Sequence, residues 1–154
     1  MAEYLNLDIL TPDGRVDLRV VEGGDKPSSK DVGPIEVEGV ELPAALGEMG
    51  IRPRHIPFLT PVLPGVVRFR FDGQDRRLAV GRGFVEISEA GGVTILTGQA
   101  RRGWEVEVAE SREQLDAVKS ELDKHKGASI DDATILKLKA QRDWLDAQLR
   151  AAAV

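Results

Sequence analysis

Residues 47–65 read GEMGIRPRHIPFLTPVLPG, with prolines at positions 53, 57, 61 and 64 and a glycine at each end. Proline fixes φ and has no amide hydrogen to donate, so it interrupts helices and is confined to the edges of sheets. Prolines that recur every three or four residues are too frequent for a helix or an inner strand. The segment is therefore predicted to be a shaped surface loop, and the stretches on either side must supply the regular structure.

The residues before this loop alternate between apolar and polar with a period of two, the pattern of a half-buried strand. Alternation runs from Leu5 to Ile9, a TPDG turn follows at residues 11–14, and alternation resumes from Val16 to Val20. This pattern predicts a hairpin. A third run, IEVEGVEL at residues 35–42, shifts phase at its glycine and predicts a kinked strand.

The residues after the loop continue the same period. Alternation at residues 67–71 leads into Asp72-Gly73, a pair that tolerates the positive φ of a tight hairpin turn, and RRLAV follows. Two more runs, FVEIS and VTILT, flank turn residues 89–92. Seven or eight short strands over residues 1–100 predict an all-β N-terminal sandwich or flattened barrel.

From Trp104 onward, apolar residues recur every three or four positions, which is the period of an amphipathic helix. One stripe of residues carries the pattern: Trp104, Val108, Ser111, Leu115, Val118 and Leu122. Gly127 is a natural stop, and Ser129 is predicted to cap a second helix that continues to Leu149. Residues 104–154 are therefore predicted to form an antiparallel αα-hairpin, since each helix needs a partner for its apolar side.

Composition excludes several classes of function. The chain has 154 residues and no cysteine, which rules out disulfides and thiolate chemistry. No apolar stretch approaches the roughly 18 residues of a membrane span, and no targeting segment precedes the first predicted strand, so a cytoplasmic protein is expected. The net charge of -5 and the scattered basic residues argue against nucleic acid and favour a protein partner.

The loop resembles the signature of the epsilon subunit of F-type ATP synthases. The matching residues are Gly47, Glu48, Gly50, Ile51, Pro53, His55, Pro57, Phe58, Leu59, Pro64 and Gly65. The run RLAVGRGFVEISEAGGVTILTGQARR is also similar to a block of that family, so the resemblance covers nearly the whole chain. Three features depart from the family pattern: Arg54 and Arg82 replace small residues, and residues 22–34 form a longer connection that is predicted to be a flexible loop.

The resemblance implies a non-catalytic rotor subunit of the central stalk, which couples proton translocation to ATP synthesis. In such a subunit the sandwich, residues 1–100, docks on the gamma subunit and the ring of c subunits. The hairpin, residues 104–154, is regulatory and inhibits ATP hydrolysis by extending toward the catalytic subunits. The expected location is peripheral, at the cytoplasmic face of the bacterial inner membrane, with membrane contact only through the complex.

The same resemblance indicates which residues contact partners. For the junction with gamma and the c ring they are Glu48, Met49 and His55, and for an acidic loop of the catalytic subunits they are Lys137, Lys139, Arg142 and Arg150. A plainer interpretation stays open for each group. Glu48 can be a solvated turn residue, His55 can bind local backbone, and the basic side chains can simply be hydrated.

No cofactor, metal ion or catalytic residue is predicted. Some family members bind ATP in the hairpin through an arginine motif, but Glu110 stands where that arginine would meet phosphate, so weak or no ATP binding is expected. Two other classes of function are alternatives. One is a β-sandwich interaction module unrelated to the synthase. The other is an enzyme that uses His55 with Glu48 or Asp72, or Arg101 and Arg102 as an anion clamp, although no triad or metal-ligand spacing supports it.

Overall fold

The computed structural model describes residues 4–24, 32–127 and 132–153. Two helices follow the strands, α1 at Val108–Lys124 and α2 at Ala133–Ala152. The strands are β1 Leu5–Thr11, β2 Gly14–Arg15, β3 Ile35–Val37, β4 Val40–Ala44, β5 Gly47–Ile51, β6 Phe58–Val62, β7 Gly65–Phe71, β8 Gln74–Val80, β9 Gly83–Ile87, β10 Gly92–Thr97 and β11 Ala100–Arg102.

Within the described ranges, eleven strands form one sheet in the order β11-β8-β7-β4-β6-β9-β10-β1-β2, with β3 beside β1 and β5 beside β4. The pairs are antiparallel except for β1 with β10. The sheet folds over a core of alternate residues such as Leu7, Ile9, Val85 and Ile95, all fully buried. The predicted sandwich or flattened barrel is confirmed.

The proline-rich segment is only partly a loop, so the prediction of one continuous loop was wrong. Strands β5 and β6 occupy both of its ends, and only residues 52–57 connect them. Strand β6 pairs along its length with β9 but meets β4 at a single pair, Ala44 with Val62. A strand with a largely open edge can accept Pro61, because the missing amide hydrogen would not have joined a ladder there.

The predicted strand at residues 16–20 was also wrong. Strand β2 ends at Arg15, and residues 16–21, here termed the strap, continue without a ladder. Two arginines hold the strap by its carbonyl oxygens. Arg76 Nη1 donates to Leu18 at 2.9 Å, and Arg102 Nη2 donates to Asp17. The kinked strand predicted at residues 35–42 is two strands, β3 and β4, which pair with different neighbours.

Both helices begin later than predicted. Trp104 lies in a 3-10 turn, Gly103–Glu105, and α1 starts four residues further on because extended backbone at residues 106 and 107 separates them. Helix α2 is capped by Asp132, whose carboxylate accepts from the Thr134 amide at 2.8 Å. The predicted cap at residue 129 and residues 25–31 of the predicted flexible loop lie outside the described residues.

The helices form the predicted hairpin, which is docked on the sandwich. Leu115 and Val118 of α1 are buried against Leu145 of α2. The opposite side of α2 lies on β7 and β8. Ala147 and Ala151 of α2 form one buried apolar cluster with Val66 and Ala79 of the sheet, and Trp144 packs beside it. In the ranges described, neither helix is long and apolar enough to cross a membrane.

Candidate partner-binding surfaces

The turn between β4 and β5 projects the first candidate residue. Gly47 has φ of 121°, a conformation that glycine adopts without strain, and it turns the chain into β5. Glu48 is exposed and pairs with Arg68, with 3.1 Å between Oε1 and Nη1. The preceding Leu46 is fully exposed. Met49 packs partly against the sandwich core, so less of its side chain is available for a partner.

His55 lies in the short loop between β5 and β6 and satisfies local groups. Its Nδ1 is 3.0 Å from the Ile56 carbonyl oxygen, and its ring centroid is 5.1 Å from that of Phe58. The neighbouring Arg54 has φ of 69°, the left-handed conformation that favours glycine. These contacts match the plainer interpretation of His55, and its neighbour Ile56 is the more exposed side chain at 77%.

The arginines and the aspartate of the enzyme alternative have structural roles in this fold. Arg101 Nη1 donates to Gln148 Oε1 at 2.9 Å, and Arg102 bonds Glu105 and the strap. Asp72 occupies the β7–β8 turn with φ of 52°, as predicted for that tight turn. No group of three or more His, Asp or Glu residues that could hold a metal ion occurs among residues 4–24, 32–127 and 132–153.

The basic side of α2 is partly neutralised by its own carboxylates. Arg142 Nη2 lies 3.1 Å from Asp143, and Arg150 Nε lies 3.1 Å from Asp146 one helical turn earlier. Lys137 is exposed and Lys139 half-buried. Exposed pairs of this kind contribute only about 0–1 kcal/mol, so they orient the arginines without preventing them from exchanging partners.

Sequence reasoning missed an apolar row on the outside of the sheet. Four residues stand directly opposite one another on β6, β9, β10 and β1: Pro61, Phe84, Leu96 and Leu10. Phe84 is 52% exposed and Leu96 50% exposed, and Leu59 beside them is 67% exposed. The signal was available, because their strand neighbours Val85 and Ile95 face the core and side chains alternate across a strand.

An apolar row of this length on an open sheet face is unusual for a monomeric protein and indicates a surface for a protein partner. Helix α2 covers Val66 and Ala79 on the other half of the sandwich, so the two outer faces differ. One face is covered by α2 through contacts between small residues. The other presents larger apolar side chains to solvent.

Comparison with known proteins agrees with this arrangement. The model of the ATP synthase delta/epsilon chain β-sandwich domain matches residues 30–103. The ATP synthase epsilon chain of Halalkalibacterium halodurans is 34% identical over 127 residues, which is 82% of this chain and 83% of that protein. That of Carboxydothermus hydrogenoformans is 30% identical over 122 residues, covering 79% of this chain and 78% of that protein.

A chain of the Euglena gracilis mitochondrial ATP synthase structure, which contains OSCP, F1 and the c-ring, has the same fold. It superposes with a TM-score of 0.75 over 99% of this chain and 84% of its own, at 16% identity. The likeness therefore extends through both the sandwich and the helices.

Proposed function

This chain belongs to the family of ATP synthase epsilon chains, which are non-catalytic subunits of the central stalk, and from that premise we propose that it couples proton translocation to ATP synthesis and restrains ATP hydrolysis through its C-terminal helices. Family membership replaces the alternative of an interaction module unrelated to the synthase. The observation that carries the proposal is the division of the chain into a sandwich with its own core and a hairpin docked on one face.

The gamma subunit is the partner that we assign to the apolar row. Rotation requires that the subunit stay attached to the shaft, so this contact must be permanent. The outward side chains of Phe84, Leu96 and Leu59 are each half or more exposed in the chain alone. Burying large apolar side chains supplies most of the affinity of a lasting protein interface.

The c ring is the partner that we assign to the β4–β5 turn. Leu46 at its tip is fully exposed, and Glu48 forms an exposed ion pair with Arg68. A short turn that presents one apolar and one charged side chain suits the polar loops of a membrane ring. Through this contact the chain is peripheral to the membrane, and we place it at the cytoplasmic face of the bacterial inner membrane.

Inhibition of hydrolysis requires a hairpin that can leave the sandwich without unfolding it. The buried core of the sandwich draws all its residues from positions 5–95, so the described helices contribute none of it. Lys137 and Lys139 have no ion-pair partner within the described part of the chain and are available to an acidic surface of the catalytic subunits. Such a switch needs two packings of similar free energy.

ATP is not proposed as a ligand of the hairpin. Glu110 is exposed in the first turn of α1, where it accepts a hydrogen bond from Gln114 Nε2 at 3.0 Å. A carboxylate at this position repels phosphate. Isothermal titration of the full chain with ATP is expected to give no measurable heat, and micromolar affinity would contradict this part of the proposal.

Removing residues 104–154 from the chain in the assembled complex tests the inhibitory role. The truncated subunit is expected to remain in the complex, because the sandwich keeps its core, the apolar row and the β4–β5 turn. Hydrolysis by the complex is expected to rise while ATP-driven proton pumping persists. Unchanged hydrolysis with normal assembly would remove the inhibitory role, and failure to assemble would show that the hairpin is needed for attachment.

A further inference from the structure

Four residues where the end of α2 meets the sandwich are here termed the docking seam: Gly103, Ala151, Arg101 and Gln148. Gly103 is buried against the end of α2. A Cβ at this position would lie 3.0 Å from the carbonyl carbon of Ala151 and closer still to its oxygen. Backbone atoms cannot rotate away as a flexible side chain can, so any residue larger than glycine must push α2 from the sheet.

A polar bond holds the same end of the helix. Gln148 is only 3% exposed, and its Oε1 accepts from Arg101 Nη1 at 2.9 Å. Leaving a buried amide oxygen without a donor is costly, so the docked state depends on this arginine. Arg101 itself is exposed on β11, and solvent can satisfy it when the helix leaves.

Next to the seam, small residues on both sides of the interface pack together, with the half-buried Trp144 beside them. A cleft of about 480 Å³ opens beside the seam, bordered by Gly103, Trp104 and Ala151 among others. Beneath α2, the sheet offers Val66 and Ala79 to Ala147 and Ala151. Small residues bring backbones close, so the docked position of α2 depends on the fit at the seam.

We propose that the docking seam is the latch that sets how often the hairpin leaves the sandwich. The sandwich stays folded during this opening, since its core is separate from the seam. Loosening the seam raises the population of the undocked hairpin, and tightening it lowers that population. The consequence for ATP hydrolysis rests on the proposed inhibitory function, but the opening itself is a property of the isolated chain.

Thiol labelling measures the opening directly, because the chain has no cysteine of its own. A single cysteine replacing Ala79, fully buried beneath α2, reacts with a thiol reagent when the hairpin leaves. A single cysteine replacing Val85, fully buried in the sandwich core, reacts only when the sandwich unfolds. The two reporters therefore separate undocking from unfolding.

Gly103→Ala is expected to accelerate labelling at position 79 by roughly ten- to a hundredfold, the effect of forcing a methyl group into a close-packed contact. Arg101→Ala is expected to accelerate it by about tenfold through the unpaired Gln148. Labelling at position 85 is expected to stay unchanged in both variants. Gly98→Ala is the matched control, because Gly98 is exposed and an added Cβ would meet nothing within 4 Å.

Two outcomes overturn the latch. One is labelling at position 79 that neither seam variant changes. The other is labelling at positions 79 and 85 that rises together, which would mean that the hairpin leaves only when the whole chain unfolds. Failure of the proposed function gives a different result: seam variants that open in isolation yet leave hydrolysis by the assembled complex unchanged.

Discussion

Phe84→Ala should weaken binding to the gamma subunit while the free chain stays folded. Phe84 is 52% exposed, and a phenylalanine side chain buries about 150–250 Å² in full, so about 100 Å² remains for a partner to cover. At about 25 cal/mol per Å², that area is worth about 2.5 kcal/mol, of which alanine retains a small part. A loss of about 2 kcal/mol raises Kd roughly thirtyfold.

Binding of purified gamma subunit to the immobilised chain measures this effect, and urea unfolding of each free variant measures stability. Phe84→Tyr keeps the ring and is expected to bind like the wild-type chain. Leu136→Ala is the matched control, since Leu136 is 54% exposed but lies on α2 and not on the apolar row. Phe84→Ala that binds gamma with unchanged Kd would refute the assignment of this row to gamma.

Three further predictions concern stability. Arg76→Ala should lower the free energy of unfolding by about 2–3 kcal/mol in urea, because a charged donor to the strap is lost, whereas the exposed Arg70→Ala should change it by less than about 1 kcal/mol. Asp132→Ala should cost about 1 kcal/mol in the same assay and reduce helix content by circular dichroism, while Asp132→Asn keeps the cap. The Lys124 amine, 3.0 Å from Glu121, lowers the pKa of that carboxyl, so its NMR titration midpoint should lie below the ordinary value and rise in Lys124→Ala. A lowered pKa means that the pair stabilises the chain above the ordinary carboxyl pKa and stops doing so as the pH falls through the lowered value.

Local features of the fold were predictable because short stretches determine them. The Asp72-Gly73 turn needs two positive φ values, and the dipeptide meets that need by itself. The buried stripe of α1 follows from the spacing of Leu115 and Val118. Such signals depend on neighbouring residues only, so a single sequence contains them in full.

Features that depend on distant residues were not predictable. Residues 16–20 alternate like a strand, yet the Leu18 carbonyl oxygen accepts a hydrogen bond from Arg76, 58 positions away. No local sequence pattern predicts that bond. Pro61 of β6 is tolerated because β4 meets that strand at a single residue pair. The apolar row is an intermediate case, since strand phase alone places Phe84 outward but strand order is needed to align it with Leu96.

Under the proposed function, the two outer faces of the sandwich make different kinds of contact, one permanent and one reversible. The face under α2 carries Val66 and Ala79, whose small side chains allow a close approach, and Trp144 of α2 packs beside them. The opposite face carries Phe84 and Leu96, whose burial by a partner contributes more free energy than that of an alanine. The proposed function needs such a difference, because it requires a subunit that stays on a rotating shaft while its helices detach. Exchanging the two sets of side chains would favour the reverse outcome, a hairpin fixed to the sheet and a sandwich that leaves gamma.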